Sequence, residues 1–358
     1  MAWVTLGLGG HPPAPRECAG VSLSGGKLLT FGGMYTNDQG VLCLSGQTHV
    51  FDAASDEWAL VPSSGAAPLG RSGHAMVAIP GAELGAAERV VVMYGLSDTE
   101  GHLSDVSVFD VANKVWTLTD LEGPRPSARD KLAATAFKGL IYVHGGFGAV
   151  PKDDEEDDEE EEEVEEDDFG VEMAWFSDTH CIDIDCMTST KIETTGATPP
   201  PRAAHSLVAL GVGERGELFM FGGRTQGGRT NDLWRLDLAT SSWAALEPAG
   251  ARPPARSFQS SCALSGSQFV VFGGLDTKDV HLDDLHSFDA ILGRWARVQA
   301  TSGPTARACC ALGRAGDALI VFGGSSNWVA EMGAPSCFHG ETFALPIEAV
   351  ELAGRHAE

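Results

Sequence analysis

The chain has 358 residues, of which 43% are apolar, and a formal net charge of −26. Its 44 glycines and 8 tryptophans suit many short strands joined by tight turns, and they argue against a largely helical protein. No apolar run reaches the roughly 18 residues of a membrane span, and the N-terminus lacks a basic leader, so we expect a soluble protein of the cytoplasm or nucleus.

From Arg16 onward a unit of about 50 residues recurs six times. An Arg opens an apolar strand, a second apolar strand ends in Gly-Gly, a third ends in Asp, and a Trp follows six residues later. The second strands with their glycines are Leu28–Gly33, Val91–Leu96, Ile141–Gly146, Phe219–Gly223, Val270–Gly274 and Ile320–Gly324. The Asp and Trp pairs are Asp52/Trp58, Asp110/Trp116, Asp237/Trp243 and Asp289/Trp295. Four short strands in such a period are typical of a propeller blade.

Two repeats depart from this pattern. Repeat two ends its second strand in Gly95-Leu96, which we interpret as loss of the second glycine, and repeat three has Ser189 where the Trp is expected. Repeat three also carries most of the acidity, because fifteen of the sixteen residues in Asp153–Asp168 are Asp or Glu. We expect this insertion, residues 151–170, to be disordered, since it can bury no apolar surface.

The repeat resembles the kelch family, which has an Arg at the blade start, Gly-Gly after the second strand, and Asn231-Asp232-Leu233-Trp234 leading to Asp237 and Trp243. The resemblance implies an all-β fold, a six-bladed kelch β-propeller over residues 1–346, followed by a tail at 347–358. The repeat arginines recur in every blade, so we assign them a structural role.

The two ends of the chain complete each other. Trp3 precedes Arg16 by thirteen residues, which is the spacing from Trp58 to Arg71, so the N-terminus resembles an isolated fourth strand. The sixth repeat has a third strand near Glu341–Leu345, but no Trp follows it. We predict that the strand from Trp3 to Leu6 pairs with this segment and closes the ring, because an open ring would leave strand edges exposed.

No phosphate-binding loop, nucleophile elbow or zinc-protease helix is present, and we expect no catalytic residue and no cofactor. His74 and His205 lie in first strands and are interpreted as histidines buried between blades. Asp276–His286 contains acids and imidazoles that suit iron or manganese, although an ordinary polar loop has the same composition. The eight cysteines form no disulfide framework and no zinc pattern, so we expect reduced thiols.

Kelch propellers usually bind peptides or proteins through loops at one mouth of the ring, with residues that follow the Gly-Gly pair and the repeat Arg. In this chain the positions after the glycines are Met34, Phe147, Arg224, Leu275, Asp276 and Ser325, and those after the arginines are Lys131 and Phe258. Arg224, Lys131 and Phe258 are the strongest candidates. An Arg can bind a carboxylate through two hydrogen bonds and an aromatic ring can anchor a partner, which suits an acidic or C-terminal peptide.

The sequence therefore predicts a non-enzymatic, monomeric interaction module that serves as an adaptor, scaffold or substrate receptor. The alternative is a metal-dependent enzyme at the channel mouth, similar to the plant specifier proteins that use ferrous iron. The acidic run is either an idle solvated loop or a docking site for a basic protein. Outside the run the net charge is about −11, which disfavours direct binding of nucleic acid.

Overall fold

Six antiparallel sheets follow one another along the chain, one for each repeat, in a computed structural model. It describes residues 2–7, 9–17, 19–23, 25–79, 81, 88–150, 165–166, 172–212, 215–329 and 334–350. We number the blades I to VI in chain order. Because the first strands of neighbouring blades contact each other all the way round, from blade VI back to blade I, the sheets form a closed ring. The predicted six-bladed propeller is confirmed.

Each blade has four strands, which we number from first to fourth. Blade I contains Ala19–Leu23, Lys27–Phe31, Thr48–Asp52 and Glu57–Leu60. Blade II contains Ala75–Ile79, Arg89–Ser97, Gly101–Asp110 and Val115–Leu118. Blade III contains Ala133–Phe137, Leu140–Ala149, Glu172–Asp183 and Thr188–Lys191.

The second half of the ring repeats the arrangement. Blade IV contains Ser206–Val212, Arg215–Phe221, Leu233–Asp237 and Ser242–Leu246. Blade V contains Ser260–Ala263, Gln268–Phe272, Leu285–Asp289 and Arg294–Val298. Blade VI contains Ala311–Ala315, Ala318–Phe322 and Thr342–Pro346, and its fourth strand is Val4–Leu6.

Short strands complete the sheets and rise above one mouth of the ring. Two-residue strands lie in parallel beside the fourth strands at Gly9–Gly10, Ser64–Gly65, Thr195–Gly196 and Ala249–Gly250. The mouth carries the pairs Met34–Thr36 with Leu42–Leu44, Arg224–Thr225 with Gly228–Arg229, Arg256–Ser257 with Leu275–Asp276, and Ser325–Val329 with Ala334–Phe338. In blade III, Arg129–Asp130 and Glu165–Glu166 extend the sheet.

The N-terminal strand closes the ring as predicted. Val4, Thr5 and Leu6 pair antiparallel with Ala344, Phe343 and Thr342. Trp3 is 6% exposed and packs 6.1 Å from the ring of Phe272 in blade V, so the N-terminus supplies the tryptophan that repeat six lacks.

The recurring residues hold the blades together in a regular way. Tryptophans of the fourth strands are buried against an aromatic side chain of the preceding blade, as in the pairs Phe322–Trp58, Phe31–Trp116 and Phe221–Trp295. The third-strand aspartates accept hydrogen bonds from the backbone of the next turn, at Ala54 for Asp52 and at Asn113 for Asp110. These N–H groups hold the pKa of both carboxyls below the usual value.

The repeat arginines are buried clamps within their blades. Each donates to the carbonyl of the first residue in the Gly-Gly pair or its equivalent, as Arg256 does to Gly273 at 2.9 Å. Five of them also lie against a carboxylate in the third strand or just before it, in the pairs Arg71–Asp105, Arg129–Asp178, Arg202–Asp232, Arg256–Asp284 and Arg307–Glu341. Because losing one partner would leave a buried charge, these arginines have a structural role.

The structure corrects our interpretation of repeat two. The two glycines have φ values of 64° and 97° in blade IV, and Tyr94 and Gly95 have 59° and 102°. Arg71 donates to the carbonyl of Tyr94, which is the bond that the first glycine accepts elsewhere. Tyr94 therefore replaces the first glycine, and Leu96 is the residue after the pair. The next blade has Ser189 in place of Trp, as predicted, and the buried Tyr94 side chain belongs to the core shared by blades II and III.

Packing continues beyond the predicted boundary at residue 346. Residues 347–350 form one helical turn, and Ile347, Ala349 and Val350 are buried in the core of blades V and VI. The rest of the tail lies outside the described residues. So does the acidic run, except for Glu165–Glu166, and its predicted disorder stays a prediction.

The seven cysteines in the described part of the chain are free thiols, of which Cys186 is exposed. No helix among the described residues is long and apolar enough to cross a membrane.

Candidate functional site

One mouth of the ring holds a cavity of about 360 Å³ to which all six blades contribute. Its lining comes from the residues that follow the repeat arginines and the glycine pairs, because both groups leave their strands at this mouth. Five of the eight predicted positions line it, and these are Met34, Lys131, Phe258, Leu275 and Ser325. The other three, Arg224, Phe147 and Asp276, are not among the lining residues.

The floor of the cavity is made of backbone. The second residue after the repeat Arg has a positive φ in five blades, at Gly73, Lys131, Ala204, Phe258 and Cys309. Lys131, Ala204, Phe258 and Cys309 each donate their N–H to the carbonyl of the corresponding residue in the preceding blade, at 2.7, 2.8, 2.9 and 3.1 Å. This series of hydrogen bonds runs across blades II to VI and narrows the channel below the cavity. We therefore interpret the cavity as a bowl whose floor is this backbone.

Lys131 is the one Lys or Arg side chain among the lining residues that the structure describes, and it is already paired. Its Nζ lies 2.6 Å from Oδ2 of Asp130, whose side chain is only 3% exposed. Nε2 of His102 lies 3.6 Å from the other oxygen of the same carboxylate. A mutation of Lys131 would therefore disturb a buried aspartate as well as remove a cation from the cavity.

Two arginines face each other beside the cavity, on the hairpin of blade IV. Arg224 and Arg229 are directly paired residues of Arg224–Thr225 and Gly228–Arg229. Like charges placed opposite each other repel, and the carboxylate of Asp279 offsets part of this repulsion at Arg229. Arg229 donates to Ser257 Oγ at 2.8 Å and to Asp279 at 2.6 Å, which fixes its guanidinium next to the cavity residue Phe258.

Phe147 belongs to a wall beside this hairpin. Its ring lies 4.9 Å from that of Trp175, and the guanidinium of Arg224 lies 6.0 Å from the same Trp175 ring. The exposed Arg224 is thus held at the rim by an aromatic face. Its backbone pairs with Ala203, the neighbour of the floor residue Ala204.

On the side of blades VI and I, Ser325 and Glu17 form a buried contact. Ser325 donates its hydroxyl to Oε1 of Glu17 at 2.6 Å, and burial raises the pKa of Glu17 against the lowering effect of this bond. Above them, Met34 and Trp328 line the cavity, and Trp328 is 44% exposed.

The segment Asp276–His286 has structural tasks. Asp276 accepts hydrogen bonds from the N–H groups of Lys278 and Val280 in its own turn. Asp284 binds Arg256 and also lies 2.9 Å from Nε2 of His286. In the part of the chain that the structure describes, no three His, Cys, Asp or Glu side chains are grouped to hold a metal ion. The loop contributes His281 to the cavity wall.

His74 and His205 also reach the cavity, from positions three residues after the repeat Arg. Both are buried, and burial lowers the pKa of His74 to about 3 and that of His205 well below its usual value. Neutral imidazoles at this position pack against the preceding blade, where the ring of His205 lies 5.5 Å from that of His144.

Arg229, Trp328 and Leu96 are among the residues of this region that were not found from the sequence. Arg229 follows a Gly-Gly-Arg-Thr segment whose hairpin was not predicted, and Trp328 lies outside the repeat pattern. Leu96 lines the cavity at the position after the glycine pair. It was not predicted because Gly95-Leu96, and not Tyr94-Gly95, was aligned with the glycine pair. The signal that was available was the second Arg, five residues after Arg224.

The ring of six blades, the arginine clamps and the single-mouth cavity define the class of this protein as a six-bladed kelch-type propeller. A family model described as the KLHDC2/KLHL20/DRC7 Kelch-repeats domain matches residues 1–146 and 169–330. The chain belongs to this kelch-repeat family.

Curated relatives agree with that assignment. Kelch domain-containing protein 2 of Bos taurus is 28% identical over 284 residues, which cover 78% of this chain and 67% of the relative. Kelch domain-containing protein 3 of Homo sapiens is 26% identical over 84% of this chain and 75% of its own length. For kelch domain-containing protein 1 of Homo sapiens the identity is 27%, over 95% of this chain and 84% of the relative. The kelch propeller is in general a protein-interaction fold.

Proposed function

We propose that this protein is a non-enzymatic adaptor, scaffold or substrate receptor whose mouth cavity binds the end of a partner polypeptide through a carboxylate. The observation that carries the proposal is the pair Arg224 and Arg229, placed opposite each other on the hairpin beside the cavity. An arginine pair can take a carboxylate through several charge-assisted hydrogen bonds.

The floor of the cavity favours a ligand that ends in the cavity, such as a chain terminus, over a loop that would have to continue through it. Hydrogen-bonded backbone lies beneath the cavity, so we expect that a bound chain cannot continue from the cavity into the channel. The floor amides are used in these bonds, and anion recognition therefore falls to side chains. Lys131 adds positive charge on the same side of the bowl, partly offset by Asp130.

The test uses a pool of random decapeptides with free C-terminal carboxylates and a matching pool with C-terminal amides. The immobilised full chain should retain peptides from the first pool at least about tenfold better than from the second, because charge-assisted contacts contribute on the order of 1.5–3 kcal/mol. Arg224→Ala with Arg229→Ala should abolish the difference. Arg297→Ala, an exposed arginine on the outer part of blade V, should leave it unchanged. Equal retention of both pools by the wild type would refute carboxylate recognition.

The acidic run supports a second contact, with a basic protein. Fifteen acids within sixteen residues create a strong local field, which steers association at low ionic strength and is screened by salt. Deleting residues 153–168 should slow association with a basic partner at 50 mM salt and have little effect at 500 mM. Rate constants that are the same for both chains at low salt would rule this role out.

A further inference from the structure

Trp328 stands apart from the other tryptophans. Six of the eight are 9% exposed or less, and five of those lie in fourth strands at the contacts between blades or in the third strand of blade IV. Trp328 is 44% exposed and lies on the blade VI hairpin, where it is paired with the buried Pro335. Both residues line the cavity. A large aromatic surface that the fold leaves uncovered at a cavity points to a ligand contact.

The hairpin has several contacts that do not involve this indole. Ser336 donates to the carbonyl of Asn327 across the two strands, Ser325 donates to Glu17, and Ala334 is buried at the far end. Asn327 takes the positive φ of 58° beside Trp328. The side chain of Trp328 is therefore free to serve the cavity.

The two sides of the cavity differ in character. Blades III and IV place Lys131 in its wall and Arg224 and Arg229 beside it. The opposite arc, formed by blades V, VI and I, carries the apolar side chains of Leu275, Trp328, Pro335 and Met34. A peptide whose terminal carboxylate lies on the cationic side therefore presents an earlier residue to the apolar side.

We propose that Trp328, with Pro335 and Met34, forms a specificity subsite for one large apolar side chain of the bound peptide. The inference rests on the proposed function, since it takes the carboxylate end as the fixed point. An extended chain advances about 3.3–3.6 Å per residue, so a bowl of this size places the apolar residue within roughly the last four positions.

The test sequences the peptides that the full chain retains from the free-carboxylate decapeptide pool. Wild-type protein should enrich Leu, Met, Phe or Trp at one position among the last four. Trp328→Ala should lose that enrichment and bind the selected peptides about tenfold more weakly, while it keeps the preference for a free carboxylate. Trp328→Phe should keep the enrichment, and Trp328→Lys should replace apolar by acidic residues at the same position.

Leu118→Ala removes a comparably exposed apolar side chain from the outer part of blade II and should change nothing. An unchanged peptide profile in Trp328→Ala overturns the subsite and leaves the proposed function standing. A wild-type profile without apolar enrichment overturns it as well, even if the alanine variant fails to fold. Retention of no peptide by the wild type instead overturns the proposed function, and the subsite with it.

Discussion

Three histidines are buried at contacts between blades, and these are His74, His144 and His205. Burial lowers the pKa of His74 and His144 to about 3, and it takes the pKa of His205 well below 6.5. In the unfolded chain the same groups titrate near 6.5, so below that pH the unfolded state binds more protons than the folded state. Stability is then lost as the pH falls from about 6.5 towards the folded values.

We predict that the free energy of unfolding decreases between pH 6.5 and 5 by up to about 1.4 kcal/mol per pH unit for each of these histidines. Urea denaturation at pH 7, 6 and 5 measures the slope. His205→Gln should reduce the slope by the contribution of one histidine, because glutamine does not titrate. The variant should fold, since blade V already has Gln259 at the equivalent position, where it donates to Ser206 and Phe221. The same slope in both proteins would show that His205 does not carry this effect.

A fourth histidine couples the cavity to pH. Burial and Arg229 lower the pKa of His281, which lines the cavity. A bound carboxylate favours its protonated form, so binding takes up a proton and the affinity should rise as the pH falls from 8 to 6. Titration calorimetry with a retained peptide should show about a threefold tighter Kd at pH 6, and His281→Gln should remove the change. An affinity that is independent of pH in the wild type would contradict this linkage.

Residue-scale sequence reasoning succeeded where a residue repeats and failed where one residue compensates for another. The aspartates and arginines have the same partners in blade after blade, so recurrence was enough to assign them. Tyr94 replaces a glycine at a positive φ, next to a blade whose Trp is replaced by Ser189. These two exceptions lie in different repeats, so neither repeat alone reveals that they are linked. The Gly-Gly position of repeat two was therefore aligned one residue too late.

At the scale of elements, the N-terminal strand is the part on which the ring depends. Trp3 packs in the core of blades V and VI, and its indole also lies against Gly303. Trp3→Ala should lower the free energy of unfolding by about 3–5 kcal/mol, the usual cost of removing a buried aromatic side chain. Thermal unfolding should show a Tm lower by several degrees.

The control for this prediction is Trp328→Ala, which removes the same side chain from an exposed position and should barely move the Tm. Equal melting temperatures for Trp3→Ala and the wild type would contradict closure of the ring by this strand.

The blade strands could be predicted from the sequence because their glycines, aspartates and tryptophans mark where each one ends. The hairpins above the mouth could not. Arg224–Thr225 with Gly228–Arg229 and Ser325–Val329 with Ala334–Phe338 follow no repeat, and their positions depend on contacts with neighbouring blades. These hairpins carry Arg229 and Trp328, so the parts of the site that were missed are those that differ between blades.

At the scale of the molecule, the ring brings six loops from distant parts of the chain to one cavity. The sequence located the mouth and five of its lining residues, because the positions after the arginines and glycines are shared by all blades. It did not show that the cations at or beside the cavity, Lys131, Arg224 and Arg229, come from blades III and IV, whereas Leu275, Trp328, Pro335 and Met34 line it from blades V, VI and I. That division arises only when the ring closes and sets these blades across from one another.

The most direct test of a carboxylate-binding cavity compares the proteins that the full chain retains from its native cell with those retained by Arg224→Ala with Arg229→Ala. Quantitative mass spectrometry should find a group of proteins that the wild type holds and the variant loses, and synthetic peptides of their C-terminal ends should compete for binding. The same proteins retained equally by both chains, with no competition by those peptides, would contradict the account.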